Sequence, residues 1–400
     1  MSISVAKATP QSFFSKVLSG TSLIAGTTIG AGMLGIPLLT AKAGFYPALL
    51  ITGLVWLFML ATGLALIEAS LWMPSGSNVL TMAGRLLGGK GRFFAGSLFL
   101  FLYYCLMVAY IAGGAPIFAS MLHLPIPGPL ASVIFAGLFG AIVFRGVRSI
   151  DRVNLVLMLG LVVSYIFMVS LGANVVSGER FFFLNLPAAF GAAPVLFSAF
   201  GYHNMIPSLC SYLDRDAKAL KLSVILGTSV AFVVYVVWQW LVIGCVPLEA
   251  IAAAKAAGQP ASAVLQGVVQ HPWLGRCADA FAFFALVTSF LGVALSMADF
   301  IKDGLRKYNI KRFAPTLLAF LPPLGIVLID PTIFDRALGV AGGFGEAFLN
   351  GLLPVLLVWI GRYKAKLEGL KVLPGGRAML GFLALCSIGV CLLEIFALAS

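Results

Sequence analysis

Residues 26 to 37 run Gly26-Thr27-Thr28-Ile29-Gly30-Ala31-Gly32-Met33-Leu34-Gly35-Ile36-Pro37, inside an apolar run long enough to cross a bilayer. Glycine weakens a helix and proline removes a backbone donor. Backbone facing lipid has no water to bond with. An interruption at membrane depth must therefore be buried in protein or line a polar cavity. A discontinuous span of this kind is the pattern by which carriers build a binding site near the bilayer midplane.

The rest of the chain agrees with a membrane setting. Of 400 residues, 61% are hydrophobic and 10% charged, against about a quarter charged in soluble domains. The apolar residues come in long runs rather than in alternation, so the chain is expected to be an all-α integral membrane protein and not a barrel. Met1 to Ser15 is polar and has no h-region, so the first span is expected to stay in the mature protein. Six cysteines lie scattered, without paired or metal-ligand spacing, and suit small packing residues. No phosphate loop of the Gly-x4-Gly-Lys-Ser/Thr type occurs, which argues against an ATP-driven pump. No metal and no cofactor are expected.

Eleven spans are expected, at 17–41, 45–72, 93–121, 130–145, 153–173, 188–212, 220–246, 276–301, 313–329, 333–361 and 378–399. The fourth is short and follows Pro125, Pro127 and Pro129; the ninth is short and carries Pro322 and Pro323. With the N-terminus inside, 21 of the 26 Lys and Arg fall on inner segments, and Lys42, Arg180, Lys255, Arg276 and Arg336 fall on outer ones. A miscounted span would blur that contrast, because every later loop would change sides. The N-terminus is thus expected in the cytoplasm and the C-terminus outside. Anionic lipid accounts for the net charge of +12, and no nucleic-acid partner is needed.

The sixth span holds a second interruption, Ser198-Ala199-Phe200-Gly201-Tyr202-His203-Asn204-Met205-Ile206-Pro207. At an offset of 170, Ile36-Pro37 falls on Ile206-Pro207 and Thr28 on Ser198. Two interrupted helices of opposite polarity, five spans apart, are what an inverted 5+5 repeat predicts. The expected organisation is a cytoplasmic segment at 1–16, five-helix repeats at 17–173 and 188–361, and an additional helix at 378–399. The longest outer connection, 247–275, has an Ala-rich helical stretch near Glu249 to Ala257, either a cap over the pathway or a surface helix.

Together the first span, the sixth span, and Thr288-Ser289-Phe290-Leu291-Gly292-Val293-Ala294-Leu295-Ser296 with Asp299-Phe300 in the eighth resemble the hydroxy and aromatic amino acid permeases. The likeness is greatest to their tyrosine-specific transport branch, within the amino acid–polyamine–organocation superfamily. It extends over nearly the whole chain. It implies a LeuT-type fold, a bacterial inner-membrane location, a monomer surrounded by lipid, and proton-driven import of an aromatic amino acid. Tyrosine is the first expectation and tryptophan the second. Sodium coupling or a broader amino acid specificity is the alternative. A lysine in span five serves some relatives as a proton switch, but residues 153–173 contain none.

A zwitterion at the midplane needs partners for both charges. Freed amides at Gly30, Ala31 and Gly32 suit the carboxylate, with a hydroxyl from Thr27 or Thr28. The alternative for these glycines is close helix packing, which Gly26-x3-Gly30 fits. Carbonyls at the Phe200-Gly201-Tyr202 break suit the ammonium. Apolar and aromatic walls would hold the ring. Tyr103, Tyr104 and Tyr110, then Phe197, Phe200 and Tyr202, then Phe284 and Phe290 are the candidates, with Phe200 and Tyr202 ranked first because they sit at the break.

Coupling needs a group whose charge can change. Glu346, in the middle of span ten, and His203, at the second break, are candidates, the histidine being equally readable as a hydrogen-bonded packing residue. Glu68 in span two is a third, or else a snorkelling or inner-gate carboxylate. Asp299 and Glu394 lie near span ends, where solvation is the simpler reading. Thr288 and Ser289 could ligate sodium with span-one carbonyls, but neither brings negative charge. A lipid-modifying enzyme would need clustered acids, histidines or metal ligands, which 14 acids and 3 histidines do not form here. A channel would need a continuous pore rather than two broken helices.

Overall fold

The computed structural model describes residues 12–122, 126–257, 259, 261–268, 272–305, 311 and 313–399. Residues 1–11 of the expected N-terminal segment lie outside it, as do Arg306, Lys307 and Arg312, which were counted as inner charges.

Among the described residues every regular element is helical. The first span is broken. Helix α1 (Phe13–Thr28) and the stretch Ala31–Ala43, which contains α2 (Ile36–Thr40), meet at a bend of 48°. Longer helices follow: α3 (Phe45–Trp72), α4 (Val79–Met121), α5 (Gly128–Arg145) and α6 (Val147–Gly172). Three short pieces come next, α7 (Leu186–Phe190), α8 (Ala193–Ala199) and α9 (Ile206–Tyr212). Then come α10 (Ala217–Cys245), α11 (Leu248–Ala256), α12 (Ala261–Val268), α13 (Pro272–Gly304) and α14 (Ala314–Ile329). The chain ends with α15 (Phe334–Lys364) and α16 (Arg377–Ala399).

Among the described residues eight helices are long and apolar enough to span a membrane, or nine if the bent pair is one span. The other two expected spans differ from a simple helix. Residues 188–212 are interrupted around Gly201, leaving α8 and α9 at seven residues each. Helix α14 has 16 residues and stays helical through Pro322 and Pro323. The third span is preceded by a separate helical stretch: α4 starts at its Asn78 cap but is broken at Gly88 (φ +76°, ψ −174°), and its remaining length holds the expected span.

Local chemistry explains the regularity elsewhere. Asp216 caps α10 by accepting the amides of Lys218 (3.0 Å) and Ala219 (3.1 Å). Hydroxyls inside spans fold back on their own turn: Thr52 donates to Ala48 O and Ser70 to Leu66 O, each at 2.7 Å. Leu155, Leu159, Val162 and Ile166 form one exposed stripe of α6, as a lipid-facing surface requires.

Packing brings the two interruptions together. Helix α1 lies along α10, and α8 packs on α15, while the turn Ala31–Leu34 touches both α8 and α13. Both second halves begin alike. Each follows a tight turn, Ala31–Leu34 or His203–Met205, and starts at the Ile of Ile-Pro. The proline then occupies the first turn, where its missing N–H costs nothing. The connection between α10 and α13 contains α11, which packs on α2. There burial pushes the pKa of Lys255 below the ordinary lysine value.

Candidate functional site

The first break opens where the Ile29 amide makes the last bond of α1, to Ala25 O at 2.8 Å. The chain then extends through Gly30 (φ −151°, ψ −160°) before the turn at Ala31. The Ala31 amide donates to Ser289 Oγ on α13 at 3.1 Å. A Cβ on Gly30 would overlap that hydroxyl, so Gly30 is what admits Ser289 to the break. Gly32 has a different reason. A Cβ there would lie 2.7 Å from Cα and 3.1 Å from N of Ala199, on the backbone of α8. Packing, weighed above as the alternative, therefore accounts for Gly32. Gly26 meets only the end of Met158.

The second break offers a similar close approach. A Cβ on Gly201 would sit 2.5 Å from a carboxylate oxygen of Glu346. Glu346 is buried in the wide-turned part of α15 (Ala341–Leu352) and accepts a hydrogen bond from Asn350. Tyr235 of α10 ties the two breaks together. Its hydroxyl lies 2.6 Å from Thr28 O and 2.7 Å from Ala199 O, carbonyls left free where α1 and α8 end. Trp238, one turn on, donates to Met33 O at 3.0 Å.

Between the breaks lies a cavity of about 650 Å³, a size suited to a small organic ligand. Gly30, Ala31, Gly32, Ser198, Gly201 and Asn204 contribute from the breaks, and Tyr103 and Tyr110 from α4. Helix α13 adds Thr288, Ser289, Gly292 and Ser296, and α15 adds Glu346 and Asn350. The cavity extends to the molecular face that carries Asn78 and Asp303. Towards the opposite face Met33, Trp238, Phe334 and Leu338 are fully buried, with Phe334 against Gly113 and Leu338 against Gly35.

Several expected residues stand elsewhere. Phe200 and Tyr202, ranked first as ring walls, do not line the cavity. Phe200 packs edge-on against Tyr235, and Tyr202 donates to Met59 O at 3.0 Å and stacks on His203. Tyr103 and Tyr110 take the wall instead, joined by Phe99 and Phe300. Phe197, Phe284 and Phe290 are likewise absent from it, and Tyr104 donates to Leu318 O. His203 is fully buried away from the cavity, with Nε2 2.9 Å from Thr62 Oγ1 and Nδ1 without a partner. Glu68 is held by Arg362 at another place in the fold. Thr27 and Thr28 do face the cavity, but their hydroxyls donate to Leu23 O and Ile24 O at 2.7 Å. They present only lone pairs there, which do not suit a carboxylate. Thr288 is alike, donating to Phe284 O at 2.8 Å.

Asn204, Ser296, Asn350 and Tyr235 were not anticipated. Two of them left a trace: Glu346 and Asn350 stand at i, i+4, and Tyr235, Trp238 and Gln239 share a face at i, i+3, i+4 of an apolar helix.

Two interrupted helices enclosing a polar cavity that opens to one face define a membrane transporter of the discontinuous-helix class. The fold matches a solved manganese transporter from Eremococcus coleocola over 99% of this chain and 90% of that one, with a TM-score of 0.61 at 17% identity. That likeness is one of fold alone; among the described residues no group of three His, Cys, Asp or Glu is placed to hold a metal ion. The chain belongs to the tryptophan/tyrosine permease family, whose pattern matches residues 14–394. It is 34% identical to a tryptophan-specific transport protein of Haemophilus influenzae, over 93% of this chain and 94% of the relative. It is 33% identical to tyrosine-specific transport system 1 of the same organism, over 87% and 88% respectively. The protein is therefore a multi-pass membrane permease rather than an enzyme.

Tyr235→Phe is expected to lower uptake about tenfold while leaving the amount of inserted protein unchanged. The loss of a hydroxyl leaves two buried carbonyls short of a donor, at about 1–3 kcal/mol. Uptake at wild-type rate by this variant would show that the link between the breaks is dispensable.

Proposed function

We propose that this permease imports an aromatic amino acid, tyrosine first and tryptophan next, by proton symport with alternating access. The observation that carries the reading is the placing of one acid, Glu346, and a set of hydroxyls in a single cavity between the breaks. Ser289, bonded to the Ala31 amide, and Tyr110 of the same cavity supply hydroxyls for the carboxylate. Carbonyls around Gly201 suit the ammonium, and the Glu346 carboxyl group lies against the same glycine. Glu346 is the proton carrier, because it alone among the three candidates meets the cavity. Symport needs proton and substrate aboard together, so Glu346 would hold its proton while the substrate is bound, and would ionise only after both have left.

The two broken spans, the short α14 and the eight long helices would together make eleven spans in a LeuT-type arrangement. The repeats would be 17–173 and 188–361, with α16 outside them. With the Lys- and Arg-rich segments in the cytoplasm of a bacterium, the cavity mouth at Asn78 and Asp303 faces inward and the seal at Trp238 and Phe334 faces out. This is the state from which substrate would be released.

Uptake of labelled tyrosine into vesicles, driven separately by a pH gradient and a sodium gradient, tests the reading. Acid outside should stimulate wild-type uptake, and Glu346→Gln should abolish that stimulation. Persisting stimulation in the variant would move the proton to another group. Stimulation by sodium alone would favour the neutral oxygens of Thr288 and Ser289 as ion ligands.

A further inference from the structure

The pathway cavity has two polar ends related by a simple spacing. Tyr110 of α4 and Ser289 of α13 line the cavity, as do Tyr103 of α4 and Ser296 of α13. The helices run antiparallel, and each pair of like residues is seven positions apart. At 1.5 Å per residue the two ends are about 10 Å apart. A tyrosine measures roughly 8 Å from carboxylate carbon to phenol oxygen, from its bond lengths. Between the ends, Gly292 faces open space: a Cβ added there would meet nothing within 4 Å. Leu106 lies on the wall opposite in sequence order, between the two tyrosines. The apolar end wall is Phe99, whose ring is 4.1 Å from Tyr103 and stacked on Phe300 at 4.8 Å.

We propose that Tyr103, Asn204 and Ser296 form a subsite that recognises a hydrogen-bond donor on the far edge of the substrate's ring, and that Gly292 makes the slot in which the ring lies. This deepens the aromatic amino acid reading and rests on it. Asn204 lines the cavity and its Nδ2 donates to the Tyr103 hydroxyl at 3.1 Å, so the hydrogen-bonding capacity left on its Oδ1 is that of an acceptor. A phenol O–H or an indole N–H can donate to that oxygen. A plain phenyl ring cannot, and would leave it dehydrated and unpaired. Sites built to bond a substrate hydroxyl reject the analogue without it far more strongly than sites that only measure size.

The test compares kcat/KM for tyrosine, tryptophan and phenylalanine in vesicles containing wild type, Asn204→Leu or Tyr103→Phe. Wild type should prefer tyrosine and tryptophan to phenylalanine by at least about tenfold. Asn204→Leu should reduce the tyrosine-to-phenylalanine ratio about tenfold, and Tyr103→Phe should reduce it in the same direction. Tyr103→Phe retains the ring and its packing, so it decides the matter if the leucine variant does not insert. A ratio that stays within twofold of wild type in the inserted variants overturns the subsite while leaving aromatic import standing. No uptake of any aromatic amino acid by wild type overturns both.

Discussion

Replacing Glu68 with alanine is expected to cost about 3–5 kcal/mol of stability, the usual price of stranding one member of a buried ion pair. Arg362 reaches Glu68 with two parallel bonds, Nε to Oε1 at 2.6 Å and Nη2 to Oε2 at 2.7 Å. The Glu68 side chain is fully buried and that of Arg362 only 4% exposed. Glu68 also accepts the amides of Val372 and Leu373 at 2.8 and 3.1 Å. Arg362 in turn donates to Leu373 O and Gly375 O. One carboxylate thus fastens α3, the end of α15 and the connection leading to α16. Removing it leaves the guanidinium without its countercharge and two amides without an acceptor in the interior. A thermal shift of the purified protein in detergent measures the loss. Because the pair acts as a unit, Glu68→Ala combined with Arg362→Ala should cost less than the sum of the two single changes. An unchanged melting temperature in Glu68→Ala would show that the clamp is idle.

Gly32→Val is expected to lower uptake more than about 100-fold. The new side chain would press on Cα and N of Ala199. Backbone in a half-helix cannot swing aside as a side chain can, so the first break and α8 must separate. The carbonyls that share Tyr235 lie on those two elements, and the gap would part them. Gly30→Ala makes a useful contrast. Its Cβ meets the Ser289 hydroxyl, the tip of a small side chain that can rotate, so this variant should retain measurable uptake with a higher KM. Transport assayed against the amount of inserted protein separates the two effects. Gly32→Val transporting at the wild-type rate would refute the close contact.

The interruptions at Gly30-Ala31-Gly32 and around Gly201 were legible because glycine and proline act on the residues next to them, whatever surrounds the chain. Glu346 stood out for a similar reason: an acid in the middle of an apolar span has few bland explanations. Phe200 and Tyr202 misled because a break resets the helical phase. Past Ala199 the spacing of side chains no longer tells which way a ring points, and both rings turn into the protein. The hydroxyls of Thr27 and Thr28 were also misjudged, since each spends its proton on its own helix.

Membrane crossing, the two break positions and the family likeness came from properties the chain carries locally, in composition, glycine and proline placement, and the runs of residues around them. The cavity, the Tyr235 link and the Glu68–Arg362 clamp depend on residues far apart in the chain. Glu68 and Arg362 are 294 positions apart, and Ala31 and Ser289 are 258 apart. Such pairings form when packed helices bring distant backbones within a few ångströms. That approach depends on the shape of every intervening element, so no single segment encodes it.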